Sequence, residues 1–336
     1  MNTLALARML RLAFRNAHEL SVEGAMFRCK WHLESTRRAA IASSTEVRRA
    51  GVTMIEILVV IGVVSVLTGL LLNAVQLARD SARRTACGNN LRQVSLAVIQ
   101  FEGTNRYIPP GREAATGTAR PFRGWQVWIL PYLEQHLLFT ESENAYYNSQ
   151  NPFDAGIHTP FSKSVAAYCC PSDIRVASPF PAEVLGGSRV VGLSSYLGVS
   201  GLDHRDQFGV VVPRDPVSLA EITDGLSNTL LCGERPPSQN GNLGWWYTGA
   251  GQDYYGNADM FMGVAEIDAG KSKETTPFFC SGPYEFSPGA LDRRCDVLKF
   301  WSFHTGGANF AFADGHVVFL AYRNAVLSEL ATKASR

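Results

Sequence analysis

No proline precedes Pro109, and between Val52 and Phe101 the glycines stand singly, so nothing in that stretch breaks a helix. One continuous helix of roughly 50 residues, about 75 Å at 1.5 Å per residue, is therefore predicted. Few globular domains can enclose such a rod. Its first part carries no charge from Ile57 to Ala78 and is strongly apolar from Ile57 to Leu72. That is close to the ~20 residues a bilayer crossing requires. Arg48 and Arg49 immediately precede it, and the positive-inside rule then keeps the N-terminus on the cytoplasmic side.

The helix changes character after Arg79. Cys87, Leu91, Val94, Val98 and Phe101 recur at alternating spacings of four and three, an apolar stripe that calls for a globular partner. Cys87 lies on that stripe, where a small buried thiol is the plainer expectation and a disulfide the alternative.

Charge is distributed unevenly. Residues 1–51 carry nine Lys/Arg against four Asp/Glu, whereas the remainder carries 22 basic and 26 acidic groups. A basic start and a mildly acidic body exclude nucleic acid as the expected partner, since phosphate recognition needs a basic folded surface. The seven cysteines (Cys29, Cys87, Cys169, Cys170, Cys232, Cys280 and Cys295) include no pair spaced as zinc ribbons space theirs. Six of them follow the apolar segment, in the part expected in an oxidising compartment, where disulfides form.

Glu56 stands at the edge of the apolar run, where a carboxylate invites a functional explanation. Gly51-Val52-Thr53-Met54-Ile55-Glu56 resembles the processing motif of type IV prepilins and type II secretion pseudopilins, with Val52 in place of the usual phenylalanine. The resemblance implies cleavage by prepilin peptidase between Gly51 and Val52, N-methylation of Val52, and pairing of Glu56 with the new terminal ammonium of a neighbouring subunit. It implies pilin-like subunits or secretion machinery as partners. The 51-residue leader is longer than such leaders usually are. Met26 is an alternative start, and Met9 to Phe14 would suit an amphipathic surface helix.

After Phe101 the chain turns to short runs punctuated by Gly and Pro. Tyr107-Ile108-Pro109-Pro110-Gly111 ends the helix, Val190 to Val199 and Gly209 to Val212 read as strands, and Asn309 to Tyr322 reads as a hairpin turning at Asp314-Gly315. The whole resembles the prepilin-type proteins that carry the domain of unknown function 1559, abundant in planctomycete-like bacteria. The matching stretches are Arg84 to Gln93 (with Cys87, Asn89 and Asn90), Ile129 to Gln135 and Cys170-Pro171-Ser172-Asp173. They continue with Ile222 to Leu230 (with Asp224, Gly225, Ser227 and Asn228), Gly233-Glu234, and His304 followed after nine residues by Asp314-Gly315. The last resembles that family's H-x9-DG signature. Cys170 is the better candidate for a bridge than its neighbour Cys169, and Cys87 is one candidate partner because both stand in shared motifs. Cys280 and Cys295 flank a short loop and are a second candidate pair.

A hydrolytic or metal site from His304, Asp314, Asp224 and Asp173 lacks a nucleophile elbow, a His pair at helical spacing and clustered carboxylates. Asp314 and Gly315 are expected instead to satisfy a turn, and His304 to bond nearby backbone. Asp224, Ser227, Asn228 and Asp314 carry hard oxygens suited to Ca²⁺, but without EF-hand spacing. Trp245, Trp246, Tyr247, Tyr254 and Tyr255 would suit a glycan- or peptide-binding platform, yet a loop packed by its own aromatics is the plainer expectation.

The expected architecture is α+β: a pilin-like N-terminal helix, transmembrane over 52–78 and amphipathic over 79–102, packed on an antiparallel sheet in a loop-rich body, 103–336, whose signature hairpin covers 304–322. The expected protein is a non-enzymatic, single-pass subunit of the inner (cytoplasmic) membrane, held there through residues 55–77 and carrying a periplasmic or cell-surface body. No cofactor is expected beyond the Ca²⁺ alternative.

Overall fold

The computed structural model describes residues 53–184, 187–203, 205, 207–213, 215–249, 258–267, 280, 282–323 and 327–334. The 1–51 leader with Arg48, Arg49 and Gly51, together with Val52, Tyr254 and Tyr255, lies outside the described residues. The chain divides into two compact units, 1–64 and 65–336.

Helix α1 runs from Met54–Asn105. It begins with a reciprocal pair of bonds: the Thr53 N–H donates to Glu56 Oε2 (2.8 Å) and the Glu56 N–H to Thr53 Oγ1 (3.3 Å). This is a capping box, which satisfies N–H groups left over at a helix start. The helix contains a segment long and apolar enough to cross a membrane, none of it buried. The stripe Cys87, Leu91, Val94, Val98 and Phe101 is buried, with Ser95 and Ala97 beside it. The helix stops where Arg106 takes a left-handed φ of 69°, before Pro109 and Pro110.

Aromatic residues at the start of the body form the short helix α2 (Trp125–Trp128) and a 3-10 turn (Leu130–Leu133), and α3 (His136–Asn148) follows. The strands are β1 (Phe180–Val184), β2 (Gly187–Val191), β3 (Tyr196–Val199), β4 (Leu230–Glu234), β5 (Phe261–Met262), β6 (Ala265–Glu266), β7 (Tyr284–Glu285), β8 (Gly307–Phe312) and β9 (Val317–Ala321). The short helix α4 (Leu327–Leu330) comes last. The central sheet has the order β5-β3-β4-β8-β9. Its pairs are antiparallel except β3 with β5. Strands β3, β4 and β8 are buried along their whole length, the polar Glu234 and Asn309 included.

Two expectations about the body are corrected. Gly209 to Val212 is not a strand: Val210, Val211 and Val212 are buried in a bent segment, where Gly209 N–H and Val211 N–H donate to Ser200 and Val199 carbonyls outside any ladder. Val190 to Val199 is not one strand: β2 ends at Val191 and β3 begins at Tyr196, with Gly192 to Ser195 between them outside both strands.

Trp245, Trp246 and Tyr247 are buried. Trp245 and Tyr247 pack against Phe161, and Tyr247 stacks on Tyr146. The described part of the aromatic platform is thus interior, which removes it as a binding face.

Candidate functional site

Four residues from separate shared motifs, Cys87, Cys170, Glu234 and His304, meet around one buried point. A disulfide joins Cys87 on α1 to Cys170, so the buried-thiol expectation for Cys87 gives way to a bridge. Around it stand His304 and Glu234. His304 Nε2 is 3.6 Å from Cys170 Sγ and 3.3 Å from Glu234 Oε1, and Glu234 Oε1 is 3.9 Å from Cys170 Sγ. The Cys170 sulfur carries no proton in the disulfide, so these are contacts of a polarisable sulfur with an imidazole and a carboxylate.

Local structure explains each placement. Cys170-Pro171-Ser172-Asp173 is a turn closed by the Asp173 N–H to the Cys170 carbonyl (2.9 Å), with proline at its second position, where a preset φ helps. Asp173 receives a forked Arg175 guanidinium and also caps the following 3-10 turn, leaving its carboxylate fully employed. Glu234 ends β4 directly after Gly233, whose missing side chain matters: a Cβ there would lie 2.4 Å from the Phe310 ring. Burial of the Glu234 carboxylate is compensated by Asn309, which donates its backbone N–H to Oε2 (2.6 Å) and its amide to Oε1 (3.0 Å).

His304 does not bond nearby backbone through its ring, as the sequence suggested. Its ring faces Glu234 and the disulfide, with Ser172 Oγ 3.5 Å from Nδ1, while the His304 backbone N–H donates to Ser302 Oγ.

The same point fastens α1. Tyr196 Oη donates to the Cys87 carbonyl (3.0 Å), and the Asn90 amide donates to the Cys169 carbonyl (2.8 Å). Asn89 is exposed, on the rim of a shallow cavity with Arg84, Arg92 and Asn309. At the far end of β8, the Ser95 hydroxyl donates to the Gly315 carbonyl (3.3 Å).

The H-x9-DG elements are not brought together. His304 precedes β8 and joins the buried cluster, whereas Asp314-Gly315 follows it as the β8-β9 turn, with Gly315 at φ 89°. Asp314 accepts the His316 N–H at 3.0 Å and contacts its ring nitrogen at 2.5 Å. The Asp224 and Asp314 segments do touch, through the Asp314 N–H to the Leu226 carbonyl and the Ala313 N–H to the Thr229 carbonyl. Asp314 Oδ1 contacts the His316 ring nitrogen, and the Asn228 amide nitrogen donates to the Asp224 carbonyl.

Among the described residues, one group of His, Cys, Asp and Glu side chains is close enough to hold a metal: Cys87, Cys170, Glu234 and His304. Sequence spacing hid it because its members come from a helix, a turn, a strand end and a loop. Their shared membership of motifs was the available signal.

Residues 76–326, more than half of the chain, match the family described as protein of unknown function (DUF1559). No curated protein and no solved structure matches the chain. With Cys87, Cys170, Glu234 and His304 gathered at one place and that match covering most of the body, the chain belongs to the DUF1559 family.

Proposed function

We propose that this protein is a non-enzymatic, prepilin-like structural subunit, matured by prepilin peptidase between Gly51 and Val52, N-methylated at Val52, and anchored in the inner membrane by the apolar part of α1. The N-terminus faces the cytoplasm and the body lies outside. Neighbouring subunits pack helix against helix over Val52 to Leu77, with Glu56 setting axial register against the ammonium of the next chain. Family membership and a helix long and apolar enough to cross a bilayer are consistent with a membrane-anchored surface protein.

The observation that carries this role is how the motif residues are used. Cys87, Asn90, Cys170, Gly315 and, through Asn309, Glu234 are engaged in holding the amphipathic half of α1 on the body. A subunit that transmits load from a membrane helix to an exported domain needs such a fastening.

The test is intact-mass and N-terminal peptide mass spectrometry of membrane-fraction protein, with and without prepilin peptidase, for wild type and Gly51→Val. A chain starting at N-methylated Val52 in wild type alone supports the role. An uncleaved wild-type chain in the presence of the peptidase removes it.

One observation favours a second role, an envelope binding module. A cavity of about 320 Å³ lies between Pro236–Leu243 and Ala290–Trp301, with Leu243, Val297 and Trp301 below and exposed Gln239, Asn240, Arg293 and Arg294 at its edge. Glycan- and peptide-array binding that is lost with Arg294→Ala would favour it.

A further inference from the structure

The distances around Cys170 suit more than a disulfide. A tetrahedral zinc-class ion with sulfur, nitrogen and oxygen ligands at about 2.0 to 2.3 Å requires ligand atoms roughly 3.3 to 3.8 Å apart. The observed edges are 3.3 Å for His304 Nε2 to Glu234 Oε1, 3.6 Å for Cys170 Sγ to His304 Nε2 and 3.9 Å for Cys170 Sγ to Glu234 Oε1. One face of a coordination tetrahedron is therefore already laid out. All four donor atoms, Cys87 Sγ included, lie within 4.8 Å of one another, and all four residues are buried.

The outer contacts are those a metal site needs. Asn309 grips both Glu234 oxygens, and Ser172 Oγ stands near the His304 nitrogen that would not bind metal. Such partners orient ligands and fix which ring nitrogen is free to coordinate.

We propose that Cys87, Cys170, Glu234 and His304 form a zinc-class binding site in the reduced chain, alternating with the disulfide in the oxidised one. A dithiol reductant supplies two electrons and two protons to the disulfide and leaves as its own disulfide, giving two thiols. Binding of the divalent ion then releases those two protons as both sulfurs coordinate as thiolates. The Cys87 sulfur must open from roughly 2.0 Å to roughly 3.8 Å from Cys170 Sγ, completing the fourth vertex. Two-electron oxidation back to the disulfide, by a disulfide-bearing oxidant, expels the ion. In the chain before oxidation, the metal holds Cys87 of α1 against the Cys170 turn, where the bridge later forms.

The experiment uses the full-length protein in detergent with Cys29, Cys169, Cys232, Cys280 and Cys295 changed to serine. After reduction with a dithiol and its anaerobic removal, Co²⁺ is titrated and the thiolate-to-cobalt charge-transfer absorption is read. The expected result is one equivalent bound in the reduced protein, none in the oxidised protein, displacement by Zn²⁺, and weakening of about tenfold or more by His304→Ala or Glu234→Gln. Equal uptake by reduced and oxidised protein, or uptake in the reduced protein unchanged by His304→Ala, overturns the proposal. Should the serine background fail to fold, the wild-type chain is compared with Cys87→Ser and His304→Ala under the same reduction. Other thiols contribute equally there, and an absence of any difference again overturns it.

Discussion

His304 and Glu234 stand 3.3 Å apart with side chains at 0% and 2% exposure, one entering from the loop before β8 and the other from the end of β4. The pair gives the H-x9-DG pattern a physical meaning. Its histidine closes the cluster around the Cys87–Cys170 bridge, the intervening residues include β8, and its Asp-Gly turn seats against Leu96 and Ile99 of α1. A single strand thus meets the amphipathic helix at two separated places.

Removing the Glu234 carboxylate is predicted to be costly. Glu234→Ala strands the Asn309 N–H and amide, both aimed at the lost oxygens, in a buried space. The expected loss is about 2 to 4 kcal/mol, with Glu234→Gln losing less because an amide oxygen still accepts one bond. Urea unfolding in detergent, followed by tryptophan fluorescence with the disulfides intact, measures it. An alanine variant with the wild-type midpoint would mean that the carboxylate has no structural role.

Gly315 and Gly306 make a controlled pair. Both have φ near the left-handed region, 89° and 88°, so alanine costs about 1 kcal/mol at either through backbone strain. A Cβ at Gly315 also comes within 3.0 Å of Ile99 and 3.2 Å of Leu96, whereas none of the surrounding atoms lies within 4 Å of a Cβ at Gly306. Gly315→Ala should therefore lower the unfolding midpoint clearly more than Gly306→Ala. Equal losses would show that the turn does not press on the helix.

Features set by local periodicity were legible before the structure. The stripe from Cys87 to Phe101 and the Asp314-Gly315 hairpin both follow from spacing and turn chemistry, and both are present. The Thr53-x-x-Glu56 capping box also follows from local spacing, and the same carboxylate stands beside the apolar run. The buried cluster depends on tertiary placement: the His304 ring meets Glu234 and Cys170, which no local pattern ties together. Gly209 to Val212 misled because a buried valine run satisfies strand propensity without having a ladder partner.

Cys169 sits beside Cys170 but should take no part in its exchange chemistry. Burial, with Asp173 adding to it, pushes its thiol up to about 12, and Sγ donates to the Val176 and Val165 carbonyls. At pH 8 roughly one ten-thousandth is thiolate, so alkylation is slow despite partial exposure. Iodoacetamide labelling of the folded protein, located by peptide mass spectrometry, should rise only in strong alkali. A midpoint near the ordinary value of about 8.5 would contradict it.

The two bridges should differ in what they contribute. Cys87–Cys170 spans a sequence separation of 83, whereas Cys280–Cys295 spans 15. On chain-entropy grounds the longer loop stabilises by roughly 4 to 5 kcal/mol and the shorter by roughly 3 kcal/mol. The long one also ties α1 to the body, so its loss exposes the apolar stripe, while the short one secures the loops around Leu243 and Val297. Cys87→Ser with Cys170→Ser should therefore lower the unfolding midpoint more than Cys280→Ser with Cys295→Ser, and it alone should make the chain near Cys87 to Phe101 sensitive to limited proteolysis. The reverse order of midpoints would mean that the hydrogen bonds of Tyr196, Asn90 and Ser95 already hold the helix without the bridge.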